Sequence, residues 1–184
     1  NLLTTNKIFI ERSADVGAMP KEVAINYGVT GPSLRGSGIA FDLRKTEPYS
    51  IYNKFDFDVP VGEGAMGTVG DSWDRYYVRV LEMKESIKIL RQAMAQIPEG
   101  DVQSAMPKKI RPKKGEVYSR YETARGDVGF YIRSDGKNTP TRLKMRSPAY
   151  CNLSVLNEIS AGWMISDVIT VLGSLDIVLG EIDR

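Results

Sequence analysis

Two carboxylates near one end of the chain are the side chains best placed to do chemistry. Asp176 and Glu181 stand in the stretch Gly173–Arg184, GSLDIVLGEIDR, among apolar neighbours. A carboxylate set among apolar residues looks built for burial, and a buried one needs a partner or a function. As a glycosidase pair the two acids would need a sugar cleft, for which the sequence offers no sign. As metal ligands they would need further carboxylates nearby, and none is identifiable. The plainer reading pairs them with arginines in a buried network, with Asp167, Arg146 and Arg125 as available members. The chain has no histidine, which removes Ser-His-Asp and Cys-His nucleophiles and every histidine-containing metal site. Without a histidine to activate it, Cys151 reads as a small buried hydrophobe. The Asp135-Gly136 turn reads as structural.

The elements that must position these residues are helical first and stranded later. Pro20–Tyr27 reads as a short helix closed by Gly28, while Asn1–Val16 is left as coil or short helix. Glycines 28, 31, 36 and 38 with Pro32 mark a tight loop. It lacks the spacing and setting of a phosphate-cradling loop, so a packed structural loop presenting Arg35, Asp42 and Arg44 is expected. Glu47–Val61 alternates aromatic and charged residues, as a strand or an extended loop against a core does.

The clearest element is a helix over Asp74–Ile97, capped by Asp71 or Ser72 and stopped by Pro98 and Gly100. Tyr76, Val80, Met83, Ile87, Leu90, Met94 and Ile97 follow one another by alternating steps of four and three. That stripe predicts a long core helix of a bundle. Arg75 and Arg79 share one face a turn apart, ready for an acidic partner or a buried carboxylate. Pro107–Lys114, PKKIRPKK, reads as an exposed basic linker, with anionic headgroups or a partner protein as the alternative contact. From Gly115 the pattern turns to three antiparallel strands, EVYSRYE, DVGFYIR and TRLKMR. A final helix follows, with Asn152 as a possible cap, and SAGWMISDVITVL leads as helix into the terminal stretch. The fold class is therefore α+β, mainly helical with a small antiparallel sheet.

Composition sets the outer bounds. The 184 residues suffice for one domain, 1–184, with a sizeable core. A net charge of +2 does not suggest nucleic acid, and aromatics interleaved with acids make no phosphate platform. A single cysteine rules out an internal disulfide and suits a reducing compartment. No run approaches the roughly 20 apolar residues of a membrane helix. Asn1 in place of Met suggests a fragment whose first part is missing.

Five stretches together resemble the 49 kDa-type subunit of respiratory NADH–quinone oxidoreductase (complex I), which is related to the large subunit of nickel–iron hydrogenases. They are TGPSLRGSGIAFDLRKTEPYSIY (Thr30–Tyr52), GDSWDRYYVRVLEMKESIKIL (Gly70–Leu90), RGDVGFYIRSDG (Arg125–Gly136), RLKMRSP (Arg142–Pro148) and GSLDIVLGEIDR (Gly173–Arg184). The match is to the C-terminal half of that subunit and implies a hydrogenase-large-subunit-like fold. Hydrogenase large subunits end in Asp-Pro-Cys-x-x-Cys-x-x-His. This chain keeps the spacing from Asp176, with Val178 and Glu181 at the cysteine positions and Arg184 at the histidine position. The lost sulfurs cannot hold nickel.

The resemblance implies that the emptied metal cavity has become part of the quinone-headgroup chamber, lined by Asp176, Val178 and Glu181. Arg184, Arg146 and Asp167 would supply the supporting charge network. Electrons would come from an iron–sulfur cluster in a partner, the small iron–sulfur subunit, and NADH would be used elsewhere in the complex. The chain itself would bind no cofactor or metal and carry no catalytic residue, because the family's His and Tyr quinone ligands lie upstream. Its place would be peripheral, on the cytoplasmic side of the inner (plasma) membrane. The same kind of subunit in a related membrane-bound oxidoreductase with another donor, and a purely structural scaffold, are the alternatives. Ala124, where the family usually has Pro, and Trp163, where it often has His in a segment read as helix, depart from the pattern.

Overall fold

The computed structural model describes residues 2–103 and 105–183. Helices α1 (Lys7–Ser13), α2 (Lys21–Asn26), α3 (Pro32–Gly36) and α4 (Leu43–Thr46) precede a 3₁₀ turn, Tyr52–Lys54, and the long α5 (Ser72–Gln96). Strands β1 (Gly115–Thr123), β2 (Gly126–Ser134) and β3 (Arg142–Arg146) follow. The chain then forms α6 (Pro148–Ser154), α7 (Leu156–Ile159), α8 (Ile165–Leu175) and α9 (Leu179–Ile182). The fold is α+β, 42% helix with one three-stranded antiparallel sheet in the order β1-β2-β3.

Local chemistry explains most of these boundaries. Asn6 caps α1 by accepting from Phe9 N at 3.1 Å. Asp71 caps α5 by accepting from Asp74 N at 2.8 Å, and its second oxygen holds Asp15 N at 2.8 Å. Gly28, with φ of 65°, ends the turn after α2. The cap of α6 differs from the expectation. Ser147 accepts from Tyr150 N and Pro148 opens the helix, whereas Asn152 lies buried inside it. Trp163 sits in a turn ahead of α8, because the tight turns after α7 interrupt the helix expected there.

The core lies between α2, α3, α7 and α8, where Met19, Ala24, Val155, Val171 and Leu175 are fully enclosed. The aromatic stretch after α4 is an extended loop with a 3₁₀ turn, and Phe55 and Phe57 are its buried anchors. Every fourth residue of α8, from Asp167 through Val171 to Leu175, faces inward, close to the 3.6-residue period of a helix. Among the described residues no helix is long and apolar enough to cross a membrane.

The long helix reverses one expectation. It forms where the spacing predicts, but only its first turns are buried, through Trp73, Arg75 and Val78. Met83, Ile87, Leu90, Met94 and Ile97, read as core, are between 49% and 77% exposed. Periodicity reports that a face is apolar and says nothing about which chain covers it. The open seam carries a consequence. Replacing Ile87, Leu90 and Met94 together by glutamate should abolish concentration-dependent self-association in sedimentation, while the urea midpoint moves little because the sites are exposed.

Candidate functional site

The site is built around a helix terminus. Asp176 closes α8 in the left-handed conformation, φ 53° and ψ 51°, which Asp adopts more readily than most residues with a side chain. Two arginines from distant elements hold it there. Arg79 on α5 donates through Nη1 to Ser174 O at 2.8 Å and through Nη2 to Leu175 O at 3.2 Å, so it caps the last carbonyls of α8. Its Nε lies 3.6 Å from Asp176 Oδ2. Arg125, in the β1–β2 turn, donates from Nη2 to Asp176 Oδ1 at 3.3 Å and from Nε to Asp176 O at 3.4 Å. Burial pushes the Arg79 guanidinium below its ordinary value, against the opposing pull of Asp176. The Asp176 side chain is 41% exposed, so its pairs add at most about 1 kcal/mol. Their effect is orientation.

Arg125 is itself placed by the glycine-rich loop. Gly31 and Gly126 bring two backbones into direct contact, and Thr30 Oγ1 accepts from Asp127 N at 3.2 Å. Asn152 ties both chain segments to α6. Its Oδ1 accepts from Thr30 N at 3.0 Å, and its Nδ2 donates to Thr30 O and Arg125 O, each at 3.3 Å. Arg79 is placed by Arg75, which is fully enclosed and directs its donors to Gly70 O, Gly17 O, Ser72 Oγ and Ser174 Oγ. Burial and the neighbouring Arg79 push the Arg75 guanidinium down to about 9, which leaves it protonated at neutral pH.

Asp176 opens on a cleft of about 350 Å³ between α5 and the β1–β2 hairpin. Arg35, Arg79, Glu82, Met83 and Glu122 are among its walls. Arg35 is buried there among carboxylates, with Nε 2.5 Å from Glu82 Oε1 and Nη1 2.9 Å from Glu122 Oε1. Asp42 Oδ2 lies 3.6 Å from the same Nη1 and also receives Arg44 at 2.6 Å. The stretch expected as a packed loop instead folds into α3 and α4, which bury Arg35 and Asp42 and leave only part of Arg44 at the surface. The cleft offers a carboxylate of fixed position beside a guanidinium, with the apolar Met83 at its edge.

The expected charge network is only partly what forms. Arg125 does meet Asp176, and the Arg79 face does find a carboxylate. Arg146 instead donates to Asp127 O and, at 3.0 Å, to Gly28 O, and lies 3.7 Å from Asp127 Oδ2. Asp167 is buried and paired with Arg12 at 2.8 Å. Neither meets Asp176, because β3 ends beside the turn that follows α2, and α8 presents Asp167 more than two turns away from its own terminus. Arg184 lies outside the described residues. The terminal stretch is also more open than its composition suggests: Val178 and Leu179 are exposed and Glu181 is half-buried. Cys151 is half-buried at the surface of α6 rather than enclosed. Arg12 and Glu122 carry no signal in the sequence, since their partners are 155 and 87 residues away.

Among the described residues, no three carboxylates or thiols converge as a metal site would need. Ala124 sits in the hairpin turn beside Arg125, and the turn closes without proline.

Known proteins carry the same sequence pattern. A family model described as "Respiratory-chain NADH dehydrogenase, 49 Kd subunit" matches residues 1–114 and 104–184. The D-type subunit of NADH-quinone oxidoreductase from Chlorobaculum tepidum is 53% identical over 187 residues, covering 100% of this chain and 47% of that protein. Its counterpart in Chlorobium luteolum is 54% identical over 187 residues with the same coverage. A D-type subunit from Cytophaga hutchinsonii is 51% identical over 191 residues, 100% of this chain and 49% of the relative. The chain thus spans about half the length of the curated relatives it matches. With the whole of it matched by the family model, this chain belongs to the family of the 49 kDa subunit of respiratory-chain NADH dehydrogenase.

Proposed function

We propose that this chain is a quinone-chamber-forming part of the peripheral arm of an NADH–quinone oxidoreductase. It supports electron transfer from an iron–sulfur cluster in the small iron–sulfur partner subunit to quinone. In this reading residues 1–184 form one unit, the C-terminal part of a hydrogenase-large-subunit-like fold, held peripherally on the cytoplasmic side of the membrane. NADH is consumed elsewhere in the complex, and the complex is of the proton-translocating type. Asp176, Val178 and Glu181 line the headgroup end of the chamber.

One observation carries the reading: Asp176 is held by Arg79 and Arg125 at the rim of a cleft, while Val178 and Leu179 beside it stay uncovered. A carboxylate fixed by two cations at the rim of a cleft is a charge already positioned for a ligand. Its role is electrostatic. A negative charge of fixed position next to two guanidiniums sets the local potential felt by a quinone carbonyl, and the apolar Val178 flank excludes water from the ring. The chain supplies no electron carrier of its own, so its work is to bind and orient.

The test uses membranes holding the full-length subunit with Asp176→Asn. Quinone turnover is compared with turnover to an artificial acceptor that bypasses the quinone site. Losing one charge beside the substrate should lower quinone turnover by about tenfold. The bypass rate and complex content should hold. If all three fall together, Asp176 serves assembly alone and the chamber reading fails.

A further inference from the structure

The outer end of the sheet carries a local excess of positive charge. Residues 108–116 and 133–144 carry nine basic side chains against two acidic ones. The whole chain has a net charge of only +2, so the remainder is acidic and the excess is concentrated at this end. Both acids are already engaged: Glu116 pairs with Arg133 at 3.4 Å, and Asp135 with Lys137 at 3.0 Å. Lys108, Lys109, Lys113, Lys114, Arg142 and Lys144 are all exposed, with no acidic partner among the described residues.

The basic linker is fixed to this end of the sheet. Ser134 Oγ donates to Pro112 O at 3.3 Å, and Arg111 Nε donates to Asn138 Oδ1 at 3.1 Å. The linker lysines and the β2–β3 hairpin therefore present one surface. An apolar row lies on the opposite face of this end of the sheet from Arg142 and Lys144, which flank Leu143 on β3. Val117 pairs with Ile132 and Ile132 with Leu143, so the three share one face of the sheet, and Val117 and Leu143 are exposed. Ile110 is exposed in the linker.

We propose that this end of the sheet docks on the phosphate headgroups of an anionic lipid bilayer. The composition favours a bilayer over an acidic protein. Five of the six unpaired cations are lysines, which protein interfaces deplete in favour of arginine. A hydrated ammonium on a flexible stem suits mobile phosphates that require no fixed fork geometry. Docking here does not depend on whether the C-terminal stretch lines a quinone chamber.

The 184-residue chain is sedimented with vesicles of phosphatidylcholine alone, or of phosphatidylcholine and phosphatidylglycerol in equal parts. Binding to the anionic vesicles should exceed binding to the neutral ones by about tenfold or more, and added salt should release the protein. Lys113→Glu with Lys114→Glu should remove most of that preference, with an unchanged circular dichroism melt because both sites are exposed. Leu143→Ser, on the opposite face of β3 from Arg142 and Lys144, should bind as the parent does. The Ile87, Leu90 and Met94 glutamate variant should bind as the parent does. Equal binding to both vesicles, or unchanged binding by the lysine variant, overturns the proposal. So does loss of binding in the α5 variant. Retention on immobilised polyglutamate without vesicle binding also overturns it, and assigns the surface to an acidic protein.

Discussion

Replacing Arg35 by alanine should destabilise the chain by about 3–5 kcal/mol, read as a lower urea midpoint. The side chain is almost fully enclosed, and three carboxylates depend on it: Glu82, Glu122 and Asp42. Removing one member of a buried ionic cluster strands the others in low dielectric, and this outweighs the lost attraction itself. Arg35→Lys should recover only part of the loss, because an ammonium cannot span Glu82 and Glu122 as a planar fork does.

The variant should also have a distinctive pH dependence. Burial already holds the Glu122 carboxyl above its ordinary range, with Arg35 as the main force pulling it back. Without Arg35 the folded value rises further while the unfolded value stays near about 4.3. Between the two the folded state binds a proton that the unfolded state lacks, so stability grows as pH falls through the folded value. The penalty of Arg35→Ala should therefore be smaller near about pH 5 than near about pH 8. An equal penalty at both would show that Glu122 stays charged or leaves the cluster.

Gly31→Ala should be similarly severe, at about 2–6 kcal/mol when strain and overpacking add. Gly31 has φ of 68°, and an added Cβ would meet Arg125 O, with Arg125 C and Gly126 Cα at 2.6 Å. All three are backbone atoms, so no rotamer change relieves the clash. The loop must part from the hairpin turn, and Arg125 must move away from Asp176. In the assembled enzyme the same change should lower quinone turnover before bypass turnover, if the chamber reading holds. Gly136→Ala makes the contrast. It has a positive φ too, but nothing lies within 4 Å of its added Cβ, so only the conformational penalty of about 1 kcal/mol applies.

Much of the molecule was legible residue by residue. The cap at Asp71, the stops after Gln96, the three strands and their turns all follow from local chemistry. The family is carried by exact stretches such as RGDVGFYIRSDG and GSLDIVLGEIDR. Within and around them, glycines such as Gly31 and Gly126 make backbone contacts that leave no room for a side chain. Arg125 as a partner of Asp176 was within reach because both residues stood in those stretches. The Arg79 face was recognisable as waiting for a carboxylate, since two arginines stacked a turn apart repel each other unless an acid lies between or beside them.

What escaped was decided by distance. Arg146 and Asp167 have the right charges for the Asp176 network and lie near it in sequence. Nothing local reports that β3 delivers Arg146 to Asp127, or that α1 delivers Arg12 to Asp167. The seam on α5 shows the same limit from the other side. Spacing alone determined that Met83, Ile87, Leu90, Met94 and Ile97 share a face, because about 3.6 residues complete a turn wherever the helix lies. Whether that face is enclosed depends on what packs across it, and burial is a property of the folded whole. The sequence by itself determined the long helix with its Asp71 cap, the three strands and the family. Only the tertiary structure decided which charges meet, because ion pairs obey separations of a few ångströms between residues that stand far apart along the chain.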